Sequence, residues 1–194
     1  KIIDRNNASE NVSFIAGPND PDGGNDFEGA VGTLATAVPE SLDVTTVATG
    51  QIDNDAEAIV AAFDSLLLVY SGHGSVNYWA AGPMSEGDFA GLENEPALPV
   101  MAVMNCLNGY FHELYGPSAA ETLLLNEDGG AVAVWASSAL TYLIPQIPMG
   151  RAFLEELFGG ATLGEAAMYA KSATDDLDVR RSWIVFGDPA MRLR

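Results

Sequence analysis

The chain of 194 residues has a single cysteine, Cys106. An internal disulfide is therefore excluded, and cysteine usage assigns no redox compartment. Cations are almost as scarce. Eight Lys plus Arg stand against 27 Asp plus Glu, lysine occurs only at Lys1 and Lys171, and the formal net charge is −19. Such a surface repels nucleic-acid phosphates and anionic membranes, so neither is an expected partner. No apolar run is long enough to span a bilayer, so membrane insertion is not expected either. A phosphate-binding Gly-x-x-x-x-Gly-Lys loop and a Gly-x-Ser-x-Gly nucleophile elbow are both missing. There is no internal repeat and no low-complexity linker. The first residue is Lys1, and residues 1–6 carry no apolar signal-peptide core. The chain accordingly reads as a processed product or an excised part of a longer precursor.

What is present is enough for one folded domain over 1–194. Hydrophobic residues make up 48% of the chain, well above the range of disordered segments. Short apolar runs predict strands over 11–16, 43–48, 66–70, 98–104, 130–135 and 182–186. Helical spacing predicts helices over 26–37, up to Phe63 behind an Asp53 or Asn54 cap, 118–126, 148–158 and 163–173. Strand and helix alternate, which predicts an α/β domain with a mostly parallel sheet covered by helices on both faces.

Two of the strands end in reactive side chains. One runs Leu66-Leu67-Leu68-Val69-Tyr70-Ser71-Gly72-His73-Gly74, and the other Val100-Met101-Ala102-Val103-Met104-Asn105-Cys106. Chemistry in open parallel sheets gathers at the carboxyl ends of strands. Packing alone gives no reason for Cys106 and His73 both to stand there, so they form a candidate nucleophile–base pair. His112, the other histidine, is the rival base, but no strand end or glycine frames it. A third cluster is Asp20-Pro21-Asp22-Gly23-Gly24-Asn25-Asp26. Its alternating acids and glycines suit oxygen ligation, so Asp20, Asp22 and Asp26 are candidate calcium ligands, although the EF-hand pattern is incomplete. One Cys and two His at these spacings match no zinc pattern.

These segments resemble the gingipain family of cysteine peptidases, in the caspase–legumain clan. The resemblance rests on Tyr70-Ser71-Gly72-His73-Gly74-Ser75 with Trp79 shortly after, on Asn105-Cys106-Leu107-Asn108-Gly109-Tyr110-Phe111, and on Trp183-Ile184-Val185-Phe186-Gly187-Asp188-Pro189. It covers the chain from about Val12 to the end. It implies a caspase-like three-layer sandwich and a cysteine endopeptidase acting through a thioester. It also implies His73 as base and acid, Cys106 as nucleophile, and the Gly74 and Cys106 backbone N–H groups as the oxyanion hole. Family members build the substrate pocket from the loop after the first strand, which implies Asp20, Asp22, Asp26 or Glu28 as a pocket acid and cleavage after Arg or Lys. Trp79, Trp135 and Ser137, with Ser138, are expected to line the cleft, the 134–138 strand offering its edge to an extended peptide. The implied partners are a protein or peptide substrate and other domains of the same precursor. No cofactor is required, calcium is the optional one, and the implied location is secreted or cell-surface. The alternatives are a catalytically silent caspase-like peptide-binding domain that retains the dyad, and a flavodoxin-like ligand-binding domain, which leaves the His/Cys placement unexplained.

Overall fold

Three five-residue segments, LLVYS, VMAVM and AVWAS, are buried at every position. That is the signature of strands covered on both faces. They are β3 (Leu67–Ser71), β4 (Val100–Met104) and β5 (Ala133–Ser137). With β1 (Asn11–Ala16), β2 (Asp43–Ala48) and β6 (Trp183–Phe186) they form one sheet in the order β2-β1-β3-β4-β5-β6. All neighbours are parallel except β5 and β6, which are antiparallel. The structure is a computed structural model and describes residues 10–50, 55–79 and 84–193. The expected Asp53 or Asn54 helix cap and the 1–6 segment lie outside those residues.

The helices are α1 (Phe27–Ala35), α2 (Asp55–Ala62), α3 (Glu86–Ala90), α4 (Ala119–Leu125), α5 (Leu143–Phe158), α6 (Leu163–Ala170) and α7 (Leu177–Ser182). On one face of the sheet, Phe14, Val69, Ala102 and Trp135 pack with Phe27 and Leu34 of α1 and Phe153 of α5. On the other, Ile15, Leu68, Met101 and Val134 pack with Ile59 of α2, Phe89 of α3 and Leu123 of α4. Two such apolar layers give the expected three-layer α/β sandwich.

Local signals explain most element ends. Asp26 caps α1 by accepting from Gly29 N–H, and Ser118 and Glu121 form a reciprocal capping box at α4. The largest boundary difference is α5, expected from Pro148 but starting at Leu143. Pro145 lies in the first turn, where its missing N–H has no intrahelical partner to lose, so only Pro148 removes a helical hydrogen bond. Helices α3 and α7 are too short for a periodic pattern to reveal.

Negative charge is in large excess, with 27 Asp plus Glu against 8 Lys plus Arg. Ion pairs among the described residues include His73–Asp20 and Arg151–Glu155. Self-repulsion of a −19 chain is screened by salt. The melting temperature is therefore expected to rise between low and molar NaCl, as followed by circular dichroism. A temperature indifferent to salt would show that the acidic surface costs the fold nothing.

Candidate active site

The sheet order reverses between β1 and β3, because β1 leads to β2 on one side and β3 starts on the other. The crevice at the carboxyl ends of these strands is the expected ligand position. Asp20 follows β1, His73 follows β3, Cys106 follows β4 and Thr141 follows β5. The ladder continues past the strand ends through Gly17 N–H to Ser71 O at 2.8 Å. His73 and Cys106 line one cavity of about 490 Å³ together with Phe27, Asn105, Thr141 and Gln146.

His73 is held from two sides. Its Nε2 lies 3.1 Å from Asp20 Oδ2, and its ring meets the Phe27 ring edge-on at 5.0 Å. Pairing through Nε2 leaves Nδ1 as the nitrogen outside that contact. Asp20 is itself positioned by Gly23 N–H at 2.9 Å and Asn25 Nδ2 at 3.3 Å. The Gly23 N–H, and then the His73 and Asn25 hydrogen bonds, hold its carboxyl below the ordinary carboxylate range. The backbone of His73 is fixed by the Tyr70 hydroxyl, which donates to His73 O at 2.9 Å. Burial pushes the Tyr70 phenol up, so it stays a donor. Tyr70 folds back over Gly72, where any Cβ would collide with its ring.

Cys106 sits at the start of a strained turn. Leu107, the next residue, has φ 63°, a left-handed conformation that costs a branched side chain roughly 1 kcal/mol or more. The half-buried thiol donates to Thr141 O at 3.2 Å and accepts from Thr141 N–H at 3.3 Å. His73 is not among its hydrogen-bond partners in the described residues. Gly74 approaches the nucleophile closely: a Cβ there would strike the Asn105 side chain and lie 2.9 Å from Cys106 O. The backbone at position 74 thus lies close to that of Cys106.

Asn108 joins the two loops. It is 1% exposed and accepts from Trp79 Nε1 at 2.9 Å and from Asn105 Nδ2 at 2.6 Å. Its own Nδ2 donates to Ser75 O and to Tyr78 O. One buried side chain thereby ties the His73 loop to the Cys106 loop. Replacing Asn108 by Ala leaves several buried groups without partners and is expected to cost about 3 kcal/mol, read from urea unfolding. A cost under about 0.5 kcal/mol, the level of an ordinary surface change, would mean that the network holds nothing.

Several expected site residues are placed elsewhere. Trp79 is 1% exposed, stacked on Tyr70 at 3.8 Å, and belongs to the core rather than the cleft wall. Trp135 is equally buried, stacked on Phe153 at 4.0 Å. Ser137 is fully buried, with its hydroxyl donating to Ala139 O and accepting from the Ser182 hydroxyl. The β5 edge expected to accept a peptide is occupied by β6, with Ser137 opposite Trp183. Ser138 is tied to that same junction through Ser182 O. For Trp135 and Ser137 the cause is that β5, an apolar strand between β4 and β6, has no free edge or face.

The acidic loop is also rearranged relative to expectation. Asp20 faces His73, Asp26 caps α1, and Asp22 is exposed. The three do not converge, and among the described residues no group of three His, Cys, Asp or Glu is arranged to hold a metal ion. As they stand they do not fit calcium, which needs six or more oxygens. None of Asp20, Asp22, Asp26 and Glu28 lines the cavity, although Gly23 and Asn25 of the same loop do. His112 is exposed, its ring tilted 46° against that of Tyr110 with centroids 3.8 Å apart, and lies outside the cavity. Sequence reasoning missed Thr141, Gln146 and Asp178, which enter the site from the loop after β5, from α5 and from α7. The position of Thr141 after β5 was the available signal.

The chain is similar to several known proteins. The model of peptidase family C25 matches residues 3–194. Gingipain R2 of Porphyromonas gingivalis is 33% identical over 155 residues, covering 70% of this chain and 21% of the relative. Gingipain R1 of the same organism is 32% identical over 155 residues, covering 70% and 15%. The crystal structure of the Arg-specific cysteine proteinase gingipain R superposes with TM-score 0.82 at 23% identity, over 96% of this chain and 48% of that one. A complex of the pro- and mature domains of RgpB from Porphyromonas gingivalis gives TM-score 0.82 at 22% identity, over 96% and 49%. The chain thus spans about a fifth or less of the curated relatives and about half of the solved chains. The structural matches place the sandwich among caspase-like folds. By the family match and by these relatives, the chain belongs to peptidase family C25, the cysteine peptidase family of the gingipains.

Proposed function

We propose that this domain is a cysteine endopeptidase in which Cys106 is the nucleophile and His73 the base. The observation that carries the reading is that both side chains, delivered by the neighbouring strands β3 and β4, line one cavity, with Asp20 against Nε2 of the imidazole. His73 Nδ1 takes the thiol proton, and the thiolate attacks the scissile carbonyl carbon. The imidazolium returns the proton to the leaving amine as the C–N bond breaks, leaving a thioester on Cys106. Water, deprotonated by the same imidazole, hydrolyses the thioester and restores the thiol. The Gly74 and Cys106 N–H groups hold the oxyanion in both steps. No cofactor takes part.

For specificity, cleavage after Arg or Lys is supported by the Arg-specific proteinase among the structural neighbours and by the acidity of this chain. For partners, the solved complex of pro- and mature domains supports contacts with other domains of one precursor. A secreted or cell-surface location rests on the family resemblance, and no helix of the described residues is long and apolar enough to cross a membrane. The alternative, a silent peptide-binding domain, draws on the thiol being hydrogen-bonded to Thr141 rather than to His73.

Labelling with a peptidyl acyloxymethyl ketone separates the two. The expected result is one covalent adduct, located on Cys106 by mass spectrometry and formed much faster than with the denatured chain. Adduct formation no faster than in the denatured chain supports the silent domain.

A further inference from the structure

A cysteine nucleophile reacts as the thiolate, yet in the resting site the Cys106 hydrogen is directed at a carbonyl. The thiol donates to Thr141 O at 3.2 Å, and Thr141 N–H donates to the sulfur at 3.3 Å. The carbonyl favours the protonated sulfur and the N–H favours the anion, so the Thr141 backbone serves both states. The Thr141 side chain is not balanced in this way. Its Oγ1 lies 3.9 Å from the sulfur, a long hydrogen bond even to that large atom. Gln146 of α5, 3% exposed, donates from Nε2 to the same Oγ1 at 3.0 Å. Its Oε1 has no partner among the described residues, so Thr141 is the contact that fixes this amide. A hydroxyl has one hydrogen to give and lone pairs to receive. With the Gln146 amide donating into the oxygen, the hydroxyl hydrogen is left for another acceptor. Among the described residues that acceptor is Cys106 Sγ.

We propose that the Thr141 hydroxyl is a catalytic donor that stabilises Cys106 as the thiolate, and that Gln146 is the positioning residue that aims it. The assignment rests on the peptidase reading above and adds the group that carries the nucleophile's charge. When the Cys106 proton passes to His73 Nδ1, the S–H electron pair stays on sulfur. The contact to Thr141 O then has no hydrogen. The sulfur keeps two donors from one residue, the Thr141 N–H and hydroxyl, and the anion attracts both more strongly than the thiol does. A hydrogen bond made to the charged form favours that form. Neutral donors matter here because no Lys or Arg is among the residues lining the cavity, and the chain as a whole carries −19. The ionisable groups that border the cavity with Cys106 are His73 after β3, backed by Asp20, then Tyr142 after β5 and Asp178 of α7. All of them are retained in the variants below, so differences between variants read Thr141 and Gln146.

The test follows alkylation of the whole chain by iodoacetamide as a function of pH. This small neutral electrophile needs no substrate side-chain pocket, and with one cysteine in the chain its rate reports Cys106 alone. Thr141→Val keeps the shape and removes the hydroxyl. It is expected to move the midpoint of the profile up by about one pH unit, the scale of one hydrogen bond to a charged group. Thr141→Ser, which retains the hydroxyl, should bring the midpoint back towards wild type. Gln146→Met should move it up by less, and should add nothing on top of Thr141→Val, because it acts through that hydroxyl. Peptide hydrolysis should follow the same pattern. The kcat/KM of Thr141→Val should fall about 10-fold at pH values below both midpoints and converge on wild type above them. A residue that merely lined the cavity would lower it equally at every pH. A midpoint that Thr141→Val leaves unmoved, in a chain that still hydrolyses peptide, overturns the proposal while leaving the peptidase reading intact. A Gln146→Met shift that adds in full to that of Thr141→Val overturns the positioning role. A wild-type chain that takes no peptidyl label at Cys106, and is alkylated no faster than the denatured chain at any pH, overturns both readings. Circular dichroism melts confirm that folded chains are compared. If Thr141→Val does not fold, the Gln146→Met profile decides, and an unmoved midpoint there overturns the proposal.

Discussion

Cys106→Ala is expected to lower peptide hydrolysis by about 10⁴-fold or more, to background, because no second thiol exists to form the acyl-enzyme. The fold should survive. One half-buried sulfur is removed, and the hydrogen bonds it leaves behind at Thr141 involve a backbone N–H and a carbonyl beside an open cavity, where water replaces the thiol. His73→Ala should cost about 10²- to 10⁴-fold, the range of a lost general base. His112→Ala should cost less than about 2-fold, because that ring is outside the cavity, where surface changes are usually silent. The measurement is kcat/KM on one peptide for all three variants with melting curves alongside. Hydrolysis by the folded Cys106→Ala chain at the wild-type rate would remove the nucleophile assignment. Exchange of the two histidine results would move the base to His112.

Asp20→Asn is the second large effect, expected near 10²-fold at neutral pH. The substitution keeps an oxygen for the Gly23 N–H but removes the negative charge facing His73 Nε2. That charge orients the imidazole and stabilises the imidazolium formed during transfer, a role worth at least this much in related constellations. The pH dependence follows from the direction of the Asp20 shift. Its carboxyl is held below the ordinary range by the Gly23 N–H first, then by His73 and Asn25. A depressed carboxylate contributes above its unfolded-state pKa and loses that contribution as pH falls through its folded value. The ratio of wild-type to Asp20→Asn activity should therefore be flat through neutral pH and shrink only in acid. A ratio near one at neutral pH would reduce Asp20 to a loop-shaping residue. A ratio that changes steeply around pH 7 would assign the titration to another group.

Much of the framework could be read locally. Residues 67–71 and 100–104 announce buried parallel strands because every position is apolar or small, and burial on both faces demands that. Asp26 and Ser118 announce helix starts because a short oxygen-bearing side chain can satisfy an unpaired N–H three residues on. His73 and Cys106 were legible as a pair for the same kind of reason: each stands just past a recognisable strand. The local pattern misled where it was silent about neighbours. Trp79 and Trp135 are polar-tipped aromatics that suit a cleft as well as a core, and only their layer decides.

By itself, then, the sequence determined the strand–helix alternation and the two reactive strand ends. These depend on periodicity, capping and glycine, all of which act within a few residues. The tertiary structure decided which groups meet across the sheet. Asp20 faces His73 from 53 positions away because β1 and β3 are neighbours at the point where strand order reverses. Thr141 reaches the thiol, β6 closes the β5 edge, and Gln146 and Asp178 reach the cavity from α5 and α7. Each of these contacts is set by packing of helices and strands far apart in the chain. A polar residue's partner therefore becomes visible only once the layers are stacked, because the desolvation that makes the partner necessary arises from that stacking.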